Sequence, residues 1–282
     1  MILVFGATGQ LGRELAEQAD VLCLGRDLAD FSDPCAPVSR VADSGVEAVI
    51  IAAAYTAVDQ AESAEALATT INAQTPGAIA RACAARDLPL LYVSTDYVFD
   101  GAGTAPWQPG DAAAPINAYG RSKWAGEQAV RAAGGAHVIL RTSWVISAHG
   151  GNFVKTMLRL GRQRDHLRIV ADQIGAPTPA RDLARACLDI IQQLQADPGT
   201  SGTYHFAGQP ETSRAGVARE IFRRAGIACP VTEIASAAYP TPAPRPLNSR
   251  LDCADTETVF GLARPDWRQG LQDILTDLGE IT

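Results

Sequence analysis

The 282-residue chain has 6 cysteines but no Cys-x-x-Cys pair. Cys23, Cys35, Cys83, Cys187, Cys229 and Cys253 are scattered, as are His137, His149, His166 and His205. A zinc ribbon or dithiol redox motif is therefore not supported, and the cysteines in apolar runs read as core residues. No apolar run reaches the ~20 residues that span a bilayer. Met1-Ile2-Leu3-Val4-Phe5 is too short, and lacks the basic flank, for a secretory leader. With no disulfide framework either, the expectation is a reducing, cytoplasmic setting and no membrane partner. There is no basic block, and the net charge is -7, which argues against nucleic acid as a partner. Internal repeats and low-complexity tails are also missing.

What is present is the composition of a globular protein, 47% hydrophobic and 20% charged. The length accommodates one large domain or two coupled ones. Short apolar runs at Ile2–Phe5, Val21–Leu24, Ala48–Ala53, Leu88–Ser94 and His137–Arg141 read as strands. Helical patterns at Leu11–Gln18, Ala61–Arg86 and Ala118–Ala132 alternate with them. Ala48–Ala53 is apolar throughout, as a strand buried on both faces must be. This alternation predicts an α/β fold: a Rossmann-type doubly wound parallel sheet.

The pattern changes after Trp144. Asn152–Gln163 and Asp182–Gln195 read as helices and Thr203–Ala207 as a strand. Ser236–Arg250 holds four prolines and must be extended or looped. The predicted division is a nucleotide-binding domain over 1–145, to which elements near 180–208 return. Segments 146–180 and 209–282 would form mainly a smaller α/β substrate-binding lobe.

Gly6-Ala-Thr-Gly9-Gln10-Leu11-Gly12 follows the first strand and opens the first helix. Glycines there serve a tight turn, close approach of backbone to a pyrophosphate, and helix–strand packing, with the anion at a helix N-terminus. The second strand ends at Leu24-Gly25-Arg26-Asp27. An acid at that strand end would read the ribose of NADH, whereas an arginine accommodates the 2′-phosphate of NADPH. Gly25 followed by Arg26 leans to NADPH; Asp27 leaves NADH open, and Arg26 is also readable as a solvated loop charge. Asp30 and Phe31 could flank the adenine. Ala52, Ala53 and Ala54 offer small side chains where a cofactor would pass.

Tyr119 and Lys123 are spaced i, i+4, on one face of a helix. A phenol, with an ordinary pKa of ~10, is a sluggish acid at neutral pH. A neighbouring ammonium would stabilise phenolate and lower that value. Thr95, in Tyr92-Val93-Ser94-Thr95-Asp96-Tyr97-Val98-Phe99, could share a hydrogen bond to a substrate oxygen. Alone, the Tyr/Lys spacing equally describes an exposed helix with a snorkelling lysine.

Together these pieces resemble the extended short-chain dehydrogenase/reductase superfamily, and within it the dTDP-4-dehydrorhamnose reductase family. The narrowest strings are Ser94-Thr95-Asp96-Tyr97-Val98-Phe99-Asp100-Gly101, Tyr119-Gly120-Arg121-Ser122-Lys123, Arg141-Thr142-Ser143-Trp144-Val145, and Arg245-Pro246-Leu247-Asn248-Ser249-Arg250-Leu251. The resemblance implies NAD(P)H-dependent reduction of the C4 ketone of dTDP-4-dehydro-β-L-rhamnose to dTDP-β-L-rhamnose, for cell-surface polysaccharide. Tyr119 would protonate the C4 oxygen, Lys123 would bind the nicotinamide ribose and lower the Tyr119 pKa, and Thr95 would polarise the carbonyl. The implied cofactor contacts are Gly9, Gln10, Leu11, Asp30, Phe31, Ala52, Ala53, Ala54 and Val93. The implied dTDP-sugar contacts are Thr95, Asp96 and Trp144, although Trp144 is also readable as a core aromatic. Arg245 and Arg250 are candidates for the diphosphate, Arg245 being preferred for its extended, proline-rich segment. Asp59 is a candidate for the deoxysugar region or an exposed loop carboxylate.

Relatives in this family have been associated with Mg2+ at an acidic contact between subunits. Here only Glu14 and Asp189, read as isolated, come into question, so no metal ligand is assigned. A monomer or a homodimer is expected. Two other readings share these residues. A nucleotide-sugar epimerase would use Tyr119 and Lys123 while retaining its cofactor; a dehydratase would need an acidic pair after Thr95, where Asp96-Tyr97 stands. A non-catalytic, reductase-like regulatory subunit would not need an intact Thr95, Tyr119 and Lys123.

Overall fold

In the computed structural model of the protein, residues 1–42 and 45–281 are described. The first half of the chain runs β1 (Ile2–Phe5), α1 (Gln10–Gln18), β2 (Val21–Leu24), α2 (Cys35–Val41), β3 (Ala48–Ile51), α3 (Val58–Ala61), α4 (Glu65–Thr69), a π-helical turn (Thr70–Gln74), α5 (Thr75–Ala84), β4 (Leu90–Thr95), α6 (Ala118–Ala132) and β5 (His137–Thr142). The second half runs β6 (Val145–Ile146), α7 (Phe153–Gln163), β7 (Leu167–Val170), β8 (Ile174–Gly175), β9 (Thr178–Pro179), α8 (Ala180–Ala196), β10 (Gly202–His205), β11 (Thr212–Ser213), α9 (Arg214–Arg224), β12 (Val231–Ile234), α10 (Ala254–Phe260) and α11 (Trp267–Asp277).

Six strands form one parallel sheet in the order β10-β5-β4-β3-β1-β2. Successive side chains of a strand point to opposite faces, and each face is covered. Val4, Ile50, Leu91 and Leu140 pack with Leu183, Ile190 and Ile191 of α8. Their neighbours Leu3, Val49, Tyr92 and Ile139 pack on the other face with Ile79 of α5 and Val130 of α6. Burial on both faces is why these strands read as unbroken apolar runs. The sheet order reverses between β1 and β3, the switch point where open α/β sheets hold ligands beyond their C-terminal strand ends.

A separate core lies beyond the sheet. Val154, Met157 and Leu158 of α7 pack with Ile221 and Phe222 of α9 and with Trp267, Leu271 and Leu275 of α11. The two-stranded pairings β12·β7, β11·β8 and β6·β9 accompany it.

The expected single helix over Ala61–Arg86 is instead α3, a turn, α4, the π-helical turn and α5. Pro76 stands at the start of α5. A proline has no N–H for the ladder and its ring crowds the preceding turn, so the helix widens just before it. The predicted strand over Ala48–Ala53 also ends earlier, at Ile51, and Ala52–Ala54 leave the ladder at the sheet's edge.

Candidate active site

A cleft of ≈ 720 Å3 runs along the C-terminal edge of the sheet, a size suited to organic ligands. Gly6, Gly9, Gln10, Leu11, Arg26, Asp30, Phe31, Ala52, Ala53 and Ala54 line one part of it. Val93, Thr95, Asp96, Tyr119, Lys123 and Trp144 line the other. The structure thus gathers these sequence candidates into one cavity.

The glycine loop has no room for side chains. Gly6 has φ +117, in the left-handed half of conformational space, and a Cβ on it would stand 2.8 Å from the Ala53 nitrogen. A Cβ on Gly12 would stand 2.1 Å from the Gly6 carbonyl oxygen. Gly12 therefore brings α1 against the loop and does not itself line the cleft. No side chain caps the N-terminus of α1, and no acidic residue occupies its first turn. Its first N–H groups remain available to an anion. That arrangement fits a dinucleotide diphosphate. At the cleft's far rim, Arg26 is exposed and pairs with Asp30 at 3.4 Å.

Tyr119 is fixed by the start of α6. Asn117 caps that helix by accepting the Gly120 N–H at 2.8 Å, and its amide donates to the Pro244 carbonyl at 2.9 Å. Tyr119 in the first turn meets Tyr97 edge-on, with ring centroids 5.6 Å apart. Burial pushes the Tyr119 phenol above its ordinary pKa, and a hydrogen bond with the Thr95 side chain opposes this. That corrects the expectation of a lowered value. The Lys123 ammonium is directed elsewhere, donating to the Val93 carbonyl at 2.8 Å and lying 3.9 Å from the centroid of the Tyr92 ring. Burial brings Lys123 down to about 7, with the Glu127 carboxylate acting in the opposite direction.

Thr95 ends β4, donates to Asp96 Oδ1 at 3.1 Å and accepts the Tyr97 N–H at 3.2 Å. Asp96 is buried, and its Oδ2 has no hydrogen-bond partner among the described residues. Burial raises its pKa to about 6, against hydrogen bonds from Ser249 and Thr95 and the charge of Arg214. Trp144 has φ 48, left-handed for a bulky residue. Such strain at a cleft-lining aromatic is of a kind that clusters at functional sites.

Two arginine candidates are placed elsewhere. Arg245 donates from Nη2 to Asp59 Oδ2 at 2.9 Å and from Nη1 to the Ala243 carbonyl at 2.8 Å, and it is not among the cleft-lining residues. Its guanidinium is engaged by the Asp59 carboxylate, outside the cleft-lining set but near enough to act on Arg214 and Tyr97. The same pair engages Asp59, which also accepts the Ala243 N–H at 3.1 Å. Arg250 is likewise taken up by Glu211 at 2.8 Å. Glu14, read as isolated, is not: it accepts from Ser147 at 2.8 Å and lies 3.6 Å from Arg181. Its oxygen stands within 4.8 Å of ligand atoms of Glu17 and His149.

Two residues of the site were missed in the sequence. Asn72, in the π-helical turn, is fully buried and bonds the Tyr55 N–H, the Tyr55 carbonyl and the Ser122 hydroxyl, tying this turn to α6. A lone asparagine in an alanine-rich helix was the available signal. Arg214 begins α9 and reaches the cleft beside Asp96 and Tyr97. Its guanidinium carbon lies 3.7 Å from the centroid of the Trp144 ring.

A glycine loop at the switch point, facing a phenol and a buried lysine across one cleft, places the protein among Rossmann-type oxidoreductases. The family described as RmlD substrate binding domain matches residues 1–280, and the chain belongs to it. The dTDP-4-dehydrorhamnose reductase of Sinorhizobium fredii is 40% identical, over 97% of this chain and 96% of the relative. A crystal structure of a dTDP-4-dehydrorhamnose reductase from Clostridium acetobutylicum superposes with TM-score 0.92 at 36% identity, covering 99% of each chain. The enzyme of that description from Bacillus anthracis, solved in complex with NADP, gives TM-score 0.90 at 35% identity over 98% of each chain.

Proposed function

We propose that the protein is a dTDP-4-dehydrorhamnose reductase, reducing the C4 ketone of dTDP-4-dehydro-β-L-rhamnose to dTDP-β-L-rhamnose with NADPH. The supporting observation is the meeting of Thr95, Tyr119 and Lys123 in the cleft that also holds the glycine loop. The bacterial relatives that share this family over nearly their whole length bear the same activity in their names.

The chemistry then divides simply. NADPH, when bound, supplies the hydride. The glycine loop and the N-terminus of α1 would hold its diphosphate, and Arg26 at the rim would meet a 2′-phosphate. Lys123, tethered to the Val93 carbonyl, orients the ribose nearest the reacting carbon. Thr95, turning its hydroxyl from Asp96, would donate a hydrogen bond to the sugar's C4 oxygen, and the Tyr119 hydroxyl would give that oxygen its proton. Because burial raises its pKa, Tyr119 keeps the proton at neutral pH until an oxyanion develops beside it. Asp96 and Trp144 line the sugar side, where the second core over α7, α9 and α11 forms the substrate lobe.

No helix among the described residues is long and apolar enough to cross a membrane. A cytoplasmic role in supplying activated rhamnose for cell-surface polysaccharide accords with this. The decisive assay is oxidation of NADPH with dTDP-4-keto-6-deoxyglucose and a 3,5-epimerase. Absorbance at the reduced-nicotinamide band should fall only when the epimerase is present. No consumption with all components present rules the reductase reading out.

A further inference from the structure

The cleft must hold two anionic ligands if the reductase reading is right, a dinucleotide and a nucleoside diphospho-sugar. Among the described residues lining it, the lysines and arginines are Arg26, Lys123 and Arg214. Arg26 stands at the end of β2, on the cofactor side, and is paired with Asp30. Lys123 is tethered to the Val93 carbonyl. Arg245 and Arg250, which the sequence offered for a diphosphate, are neutralised by Asp59 and Glu211.

Arg214 differs from all of these. Among the described residues it has no ion pair and no hydrogen bond to a protein acceptor. Partial burial lowers its pKa, Tyr97 and Asp96 oppose this, and the neighbouring Arg245 charge adds to the lowering. Its half-buried guanidinium lines the cleft without a bidentate protein partner and so is open to a ligand that supplies one. The Trp144 ring beneath it holds the planar group in place while leaving its N–H fork free, since stacking uses the face and hydrogen bonding uses the edge. That fork matches two phosphate oxygens.

We infer that Arg214, stacked on Trp144, binds the diphosphate of the nucleotide-sugar substrate and is the cleft's principal electrostatic determinant of its affinity. The cofactor's diphosphate is a separate anion, served by the glycine loop at the other end of the cleft. Arg214 is thus a substrate-binding residue contributed by α9, from the core that lies beyond the sheet. The assignment rests on the reductase reading for the identity of the substrate.

The test is calorimetric titration of dTDP, and separately of NADPH, into the full-length wild type, R214Q and R214K. Loss of two charge-assisted hydrogen bonds predicts a roughly ten- to hundredfold weaker dTDP affinity in R214Q. R214K, which keeps the charge but not the fork, should lie between R214Q and the wild type. NADPH affinity should stay within about twofold in both variants, as expected for a site that does not touch the cofactor's diphosphate. Equal dTDP affinity in the wild type and R214Q overturns the inference and leaves the reductase reading intact. A parallel loss of NADPH affinity also overturns it, because Arg214 would then be holding the fold. A wild type that binds no dTDP sinks both.

Discussion

Glu127 and Arg141 form a bidentate ion pair in the interior, Nε to Oε1 at 2.8 Å and Nη2 to Oε2 at 2.7 Å, with both side chains shielded from solvent. The same Glu127 accepts the Ser94 hydroxyl at 2.6 Å. Ser94 precedes Thr95 on β4, and Glu127 lies one helical turn beyond Lys123 on α6. The carboxylate therefore ties the strand bearing one reactive hydroxyl to the helix bearing Tyr119 and Lys123, with β5 as the third anchor.

Removing half of a buried pair leaves the other half charged and unsolvated, which typically costs about 3–5 kcal/mol. Glu127→Leu should lower the unfolding free energy by about that amount, and Arg141→Met by less, because Glu127 keeps its bonds from Arg131 and Ser94. Because Arg141 keeps only the Pro109 carbonyl as an acceptor in Glu127→Leu, the double variant Glu127→Leu/Arg141→Met should be more stable than Glu127→Leu alone. Urea unfolding of the four proteins decides this. Additive losses in the double variant would mean that the two side chains are not energetically coupled.

Tyr119→Phe removes the proton donor while keeping the ring against Tyr97. Loss of a general acid of this kind costs about 10²–10⁴ in rate. The fall should appear in kcat, with NADPH affinity held within about twofold, since the glycine loop is untouched. Steady-state kinetics and cofactor titration separate the two. Turnover at the wild-type rate would remove Tyr119 from the mechanism.

His205 is buried in β10, with its Nε2 3.4 Å from Arg141 Nη1 and its Nδ1 without a hydrogen-bond partner among the described residues. Burial, aided by the Arg141 charge, lowers its pKa to about 3 from 6.5. Between these values the unfolded chain binds a proton that the folded chain refuses, so stability rises with pH across that window. The contribution is complete above about 6.5 and fades as pH falls toward 3. Asp96, raised to about 6, acts in the opposite direction between 3.8 and 6, so the comparison must be with a variant. His205→Gln should lose less stability than the wild type between pH 7 and pH 4.5, measured by urea midpoints. Parallel pH profiles for the two proteins would exclude this role for the histidine.

Much of the framework was legible because its causes are local. β3 is buried on both faces and reads apolar at every position, and Gly6 and Gly12 mark a loop that admits no Cβ. The shared face of Tyr119 and Lys123 on α6 follows from helical spacing. What escaped depends on distance along the chain. Arg245 looked like a phosphate ligand because its carboxylate partner, Asp59, lies 186 positions away. Arg214 drew no attention in the sequence, since only the packing of α9 brings it over Trp144. The direction of the Tyr119 shift was misread for a similar reason: helical spacing places Lys123 nearby, but the Val93 carbonyl decides where its ammonium points.

In the proposed function the choice of hydride donor falls to Arg26. It is exposed at the rim of the cleft, its side chain 76% accessible, and its only salt bridge among the described residues is a long one to Asp30. Solvent screens an ion pair this open, so Asp30 leaves the guanidinium free to turn toward a 2′-phosphate. NADPH carries that group and NADH does not. An acidic side chain at the end of β2 would repel the phosphate and accept from the 2′-hydroxyl instead. Arg26→Asp should therefore lower kcat/KM for NADPH by about tenfold or more, the scale of one charge-assisted contact, and raise it for NADH. Arg26→Ala should lose the NADPH preference without the gain for NADH. Measuring both variants with both cofactors at low and high salt also separates mechanism from chance, because a phosphate contact weakens with ionic strength. An unchanged NADPH/NADH ratio in both variants would place the 2′-phosphate elsewhere in the cleft.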